Sequence, residues 1–373
     1  MACMLLVAAL AGCATPENGS RGPARVVTAD EGRALVARLI PETVADRKGW
    51  ATDIWAAIAA LQVPPTVENL CAPIAIIGQE SGFQVDPVVP GLPRIARDEI
   101  ERQRERLGIP RLALDAALAL SSSNGKSYAE RLDTVRTEKD LSDIYDDFIG
   151  RVPLGRTFLA DSNPVRTAGP MQVNIAFASA YAADQPYPYP VTGSLRHELF
   201  TRRGGVWFGI AHLLDYKAPY DRMIYRFADF NAGRYASRNA AFQNALSELT
   251  GIPLVRDGAL LRYEHGEAVA EAGSTELAAR NAGRRLGMSD AEVRRDLALG
   301  RDERFERTRL YRAVFAALES SGKSVVPRAM IPTIELHSPK ITRRLTTDWF
   351  AHRVDERFRE CLRRNTHFKD AVR

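Results

Sequence analysis

Apolar residues recur every three to four positions along most of this chain, and that period predicts a mostly α-helical protein. Leu35, Val36, Leu39 and Ile40 make one such face, and Ile54, Ile58 and Leu61 with Trp50 make the next. Pro64-Pro65 punctuates, and Thr66 is placed to cap a helix running to about Glu80. Pro73 falls inside that helix and predicts an irregular first turn. Residues 94–150 read as three or four helices: Ile95 to Leu107 is charged and expected in solvent, Leu112 to Leu120 is Ala/Leu-rich and expected to pack, and Thr137 caps a helix ending near Gly150. Residues 151–173 are loop-like. Further helices are expected from Asn174 to about Ala183, then at 203–216, 221–230 and 235–250. Beyond Gly251-Ile252-Pro253 the pattern predicts helices at Ser274–Arg285, Ser289–Leu299 and Asp302–Ser320, a short strand within 324–340, and a last helix from Thr346 to Arg363.

The 373 residues are 45% hydrophobic and 26% charged, ordinary values for a globular chain. Wholesale disorder and a polytopic membrane protein are excluded, since no stretch of about 20 apolar residues occurs. The net charge of +5 suits an anionic partner such as a wall polymer or lipid head groups. No basic run interleaved with aromatics is found, so nucleic acid is not an expected partner.

Residues 1–13, MACMLLVAALAGC, carry an apolar run too short to span a bilayer that ends in Leu10-Ala11-Gly12-Cys13. This resembles the lipobox of bacterial lipoproteins. The resemblance implies that residues 1–13 are a signal peptide and that Cys13 is lipidated. It also implies that 14–27 is a tether and that Ala14 after the cysteine directs the protein to the periplasmic face of a Gram-negative outer membrane. Several acyl chains together anchor stably where one does not. Cys71 and Cys361 then remain as an even pair in an oxidising compartment, either a disulfide tying the C-terminal helix back to the core or two buried free thiols. No Cys/His cluster points to a metal.

Three short segments carry chemistry. Gly78-Gln79-Glu80-Ser81-Gly82-Phe83 ends an apolar helix, where a partly desolvated carboxylate can stay protonated and act as a general acid. Ala168-Gly169-Pro170-Met171-Gln172-Val173 offers a fixed turn, an apolar side chain and an amide, a combination suited to an N-acetyl sugar. Phe227-Ala228-Asp229-Phe230-Asn231-Ala232-Gly233 brings an aromatic, an amide and a glycine helix stop. In this order the three resemble the lytic transglycosylases and goose-type lysozymes of glycoside hydrolase family 23. Gly205 to Leu214 resembles that family's intervening helix.

The resemblance covers about 66–90 and 165–250. It implies a lysozyme-like helical domain over 28–250 with a long helical insertion at 90–160, followed by a C-terminal helical extension at 251–373. It implies Glu80 as the single catalytic acid/base. Ser81, Met171, Gln172, Phe230, Asn231 and Gly233 are then the substrate-binding residues, peptidoglycan glycan strands the substrate, and no cofactor or metal is needed. Phe230 stands where the family has Tyr, so Tyr225 or Tyr235 would have to supply the missing hydroxyl. Asp229 stands where the family has Ala. Asp86 and Asp229 are the candidate second carboxylates, and either one facing Glu80 would turn the expectation towards a hydrolytic muramidase. A wall-binding lipoprotein without turnover is the rival reading, and Phe230 is the residue that favours it. The charged C-terminal helices, with Trp349 and Phe350, read as a packing and surface region.

Overall fold

The computed structural model describes residues 27–151, 162–264, 266–322, 325–336 and 344–371, with side chains as far as 365. Cys13, the apolar N-terminal segment, nearly all of the tether and residues 152–161 of the expected insertion lie outside the described residues. The fold is mostly helical, as the periodicity predicts. Among the described residues no helix is long and apolar enough to cross a membrane.

The first core is built from α1 (Ala29–Leu39), α2 (Arg47–Ala60), α3 (Val67–Glu80), α10 (Arg202–Leu214), α11 (Met223–Ala232) and α16 (Thr347–Ala371). Helix α3 begins where expected, with Thr66 Oγ1 accepting from the Asn69 N–H at 3.2 Å. It runs unbroken through Pro73, against the expected irregularity, because every residue from Leu70 to Ile77 is buried. Each fully buried aliphatic side chain there contributes about 1.5–3 kcal/mol, enough to offset a missing backbone hydrogen bond.

Helices α4 (Leu92–Arg106), α5 (Arg111–Ala119), α6 (Tyr128–Asp133) and α7 (Glu138–Arg151) make up the described part of the 90–160 stretch. They carry a small core of their own around Leu92, Tyr128, Leu132 and Ile144. The Ala/Leu-rich helix does not pack as expected: α5 buries no residue, and Leu112 is 81% exposed. Its apolar positions reach the small core only through the partly buried Leu118.

A two-residue hairpin, β1 (Thr167–Ala168) and β2 (Val173–Asn174), lies in the segment read as loop. It leads into α8 (Ile175–Asp184), and the short α9 (Leu195–Leu199) precedes α10.

The second core joins α12 (Ala236–Thr250), α13 (Ser274–Arg285), α14 (Asp290–Ala298) and α15 (Arg309–Ser320). Beside it β3 (Tyr263–Glu264) pairs with β4 (Glu267–Ala268). The helix expected over Asp302–Ser320 is divided. Residues Glu303–Arg307 form a 3-10 turn, and Thr308 restarts the chain as N-cap of α15, accepting from the Tyr311 N–H at 3.2 Å. A strand expected within 324–340 is present as β5 (Glu335–Leu336), paired with β6 (Leu345–Thr346).

The C-terminal extension is where the domain reading must be corrected. Residues 251–373 do not form one appendage, because α16 returns to the first core. Phe350, Ala351, Val354, Phe358 and Cys361 are buried there, and Phe358 meets Phe227 edge to face at 5.5 Å. A charged sequence hides this, since only one stripe of a helix needs to be apolar for it to dock.

Cys71 and Cys361 form a disulfide between α3 and α16, with Cα atoms 5.6 Å apart and a sequence separation of 290 residues. Reduction, or Cys361→Ser, is expected to lower stability by about 3–5 kcal/mol, since the link closes a very long loop. Thermal melting with and without a reductant measures this. An unchanged melting temperature would mean that packing alone holds α16.

Candidate functional site

Helix α3 delivers Glu80 as its last residue, half-buried at the edge of the first core. Ser81 follows as the C-cap. It is buried, and its hydroxyl donates to the Ile77 carbonyl at 3.1 Å. The hydroxyl proton therefore goes to ending the helix, and only its acceptor lone pairs remain for a ligand. Phe83 sits at φ 64°, a left-handed backbone that bulky residues rarely adopt, and its ring meets Trp50 edge to face at 5.3 Å.

The second segment forms the tip of the β1–β2 hairpin. Gly169 has φ 74°, and a Cβ there would stand 2.2 Å from the Leu199 carbonyl oxygen, so no other residue fits. Met171 is fully buried. Its sulfur fills the space where a Cβ on Gly209 of α10 would stand, at 2.3 Å. Met171 is thus a core residue that locks the hairpin onto α10, not a ligand wall. Gln172 is the part of this turn that reaches the surface. It too is left-handed, at φ 51°, and Thr167 Oγ1 donates to its Oε1 at 2.9 Å.

The third segment ends α11. Asn231 Oδ1 accepts from Thr347 Oγ1 at 2.8 Å. Threonine hydroxyls hold the carbonyl oxygens of both amides, and the Gln172 NH2 also donates to the Gly169 carbonyl at 3.4 Å. Gly233, at φ 105°, ends the helix and lets Arg234 fold back. Arg234 Nη2 then donates to the Ala211 carbonyl at 2.6 Å, capping the end of α10.

Phe230 packs on His212, whose Nε2 lies 3.3 Å from the Phe230 carbonyl oxygen. His212 Nδ1 is buried without a partner. Burial, then the Arg234 charge, holds this imidazole down to about 4 from its ordinary 6.5. The folded protein therefore keeps His212 neutral. Its contribution to stability is complete above pH 6.5 and is lost as pH falls towards 4. That loss is roughly 2–3 kcal/mol. Melting curves between these pH values should fall less steeply for His212→Gln than for wild type; equal slopes would discard the assignment.

Both candidate second carboxylates are engaged elsewhere. Asp229 is 1% exposed. It accepts from Tyr216 and Tyr220 hydroxyls at 3.0 and 2.8 Å, and from the Tyr235 and Ser237 N–H groups at 2.8 and 2.6 Å. Burial pushes its carboxyl above the usual range, against the pull of these bonds. Its role is to start α12, not to face a substrate. Asp86 lies against the start of α7, bonded to Thr137 and near Asp140 and Lys139; burial raises its carboxyl as well. Of the two tyrosines expected to make up for Phe230, Tyr235 meets Tyr216 edge to face and lies under the Arg238 guanidinium, and Tyr225 packs against Tyr220 and Arg222. The hydroxyls near this segment, from Tyr216 and Tyr220, both point at Asp229.

Helix α16 ties the first and third segments together, through residues that the sequence did not single out. Thr347 holds Asn231, and Arg357 Nε donates to Gln79 Oε1 at 3.1 Å, one residue before Glu80. Ten helical residues separate these contacts, a span of up to about 15 Å. Only the Cys71–Cys361 pair offered a sequence signal for this return.

Of the five non-glycine residues with positive φ among the described residues, Phe83, Gln172 and Tyr235 each lie in or beside one of the three segments. Such backbones cost about 1–3 kcal/mol each and collect at functional sites.

No solved structure matches this chain. It is 49% identical over 362 residues to the Escherichia coli K12 protein YaiW, described as an uncharacterized protein, covering 96% of this chain and 97% of that one. The model of a family described as a protein of unknown function, DUF1615, matches residues 43–364, and the chain belongs to that family.

Proposed function

We propose that the protein is a peptidoglycan lytic transglycosylase, held by a lipidated Cys13 at the periplasmic face of the outer membrane. The observation that carries this reading is where the three candidate carboxylates lie. Glu80 ends a core helix at the surface, while Asp229 and Asp86 are committed to helix starts. Most glycosidases need two carboxylates flanking the bond. A transglycosylase needs one.

In the proposed reaction Glu80, protonated, donates to the glycosidic oxygen between N-acetylmuramic acid and N-acetylglucosamine, and the bond from C1 to that oxygen breaks. The substrate's own N-acetyl carbonyl stabilises the anomeric carbon. The Glu80 carboxylate then takes the proton of the muramyl 6-hydroxyl, whose oxygen bonds C1 and closes the 1,6-anhydro ring. Glu80 ends protonated, as it began, and no water is consumed. The amide donors of Gln172 and Asn231 are suited to N-acetyl carbonyls on the strand. The spread of contacts along α16 suits an elongated polymer better than a small ligand.

The test is digestion of purified peptidoglycan and mass analysis of the products. Products lighter by one water than hydrolysed muropeptides are expected. Reducing-end products would replace this reading with a muramidase. Wall binding with no product would replace it with a non-catalytic binding protein, the reading favoured by Phe230 packing on His212 without a hydroxyl to offer.

A further inference from the structure

A cavity of about 400 Å³ lies between Pro219–Tyr220 and α15, with none of the three segments in its wall. Tyr220 and Tyr311 form aromatic parts of its wall. Charges of both signs ring it: Arg312 and Arg328 against Glu306 and Glu319. Three of these four are already committed. Arg328 pairs with Glu319 at 2.6 Å and covers the Phe315 ring at 3.8 Å, and Glu306 faces the buried Arg238 at 3.7 Å. Arg312 is exposed and has no ion pair among the described residues.

The cavity is backed by a buried polar network that reaches the third segment. Tyr220 contributes to the wall and donates its hydroxyl to Asp229, which immediately precedes Phe230 and Asn231. Arg238, itself 1% exposed, donates its backbone N–H to the Tyr220 hydroxyl at 3.3 Å and its guanidinium to the Gly300 carbonyl at 2.7 Å. A concave site with aromatic walls, a few convergent charges and a fixed polar floor is what small-ligand recognition requires. The rigid floor means that little ordering is needed when a ligand enters.

We infer that this cavity binds a short zwitterionic peptide, its carboxylate on Arg312 and its ammonium sharing Glu306 with Arg238 and Glu319 with Arg328. An uncommitted guanidinium selects a carboxylate, because it offers paired donors in a fixed fork. The two acids oppose a second anion and accept a cation. A purely anionic ligand would meet both of them, and a purely cationic one would meet Arg312 and Arg328. Within the proposed peptidoglycan reading, on which the choice of ligand rests, this peptide is the stem carried by the glycan strand. The cavity then grips the stem on the side of α12 while the strand lies along the first core.

The probe is the free tripeptide L-Ala-γ-D-Glu-meso-diaminopimelate, titrated by calorimetry into the full-length protein. This readout contains no glycan and does not depend on cleavage. Binding is expected at millimolar concentration or below. Arg312→Glu should weaken it by about tenfold or more, the size of one lost charge-assisted hydrogen bond. Arg312 is exposed and unpaired, so this variant should fold; its circular dichroism and melting temperature check that. No binding to wild type, or equal binding to a folded Arg312→Glu, would overturn the inference and leave the Glu80 chemistry untouched. Binding that depends on Arg312, in a protein that releases no anhydro product, would keep the peptide site and discard the reaction.

Discussion

Glu80→Gln is expected to lower the release of anhydro-muropeptides by about 10³-fold or more. The size follows from the number of steps that share one carboxyl. Proton transfer by a positioned side chain contributes typically about 10²–10⁴-fold to a step. Here the same group would act twice, as acid on the leaving oxygen and as base on the 6-hydroxyl. Gln keeps the shape of Glu, so the melting temperature should stay close to wild type, which separates lost chemistry from lost folding. Asp86→Asn is the companion variant. Asp86 is bonded to Thr137 at the start of α7, so its amide should leave the product spectrum and most of the rate in place. If Asp86→Asn stopped turnover as completely as Glu80→Gln, the protein would use two carboxylates, and the single-carboxylate mechanism would be wrong.

The sequence was informative where local periodicity decides structure. The start of α3 at Thr66 and its end at Glu80, the restart after Gly233 and the helices on either side of Gly287 follow from caps and three-to-four spacing. It was uninformative where tertiary contacts decide. Met171 and Gln172 are neighbours in one motif, yet one fills the space above Gly209 and the other faces outward. Only packing against α10 separates them. Asp229 stands where the resemblance has Ala, and a change to an acid reads naturally as added chemistry. Its four donors include two tyrosines 9 and 13 residues earlier, a distance at which no local pattern is visible. The return of α16 was legible only as one alternative for the Cys71–Cys361 pair; its contacts with the first and third segments were not, because Thr347 and Arg357 look in sequence like ordinary surface positions.

Asp229→Ala is expected to destabilise the protein by about 4–5 kcal/mol, near the upper end for a single substitution. Four donors converge on the carboxylate in a site closed to water, and each would be left without an acceptor. Two of these donors are the Tyr235 and Ser237 N–H groups at the start of α12, the helix that leaves the third segment and enters the second core. The loss therefore falls on the joint between the two cores. The informative variant is Asp229→Asn. In an ordinary capping site Asn substitutes well. Here a backbone N–H stands on each side, so the Asn NH2 must face either the Ser237 N–H or the Tyr235 N–H, donor against donor. Asn should recover less than half of the stability lost in Ala, read as the melting temperature of the two variants beside wild type. A catalytic Asp229 would behave in the opposite way, with Asp229→Asn melting like wild type and failing only in turnover. That result would return Asp229 to the reaction and remove the argument for a single catalytic carboxyl.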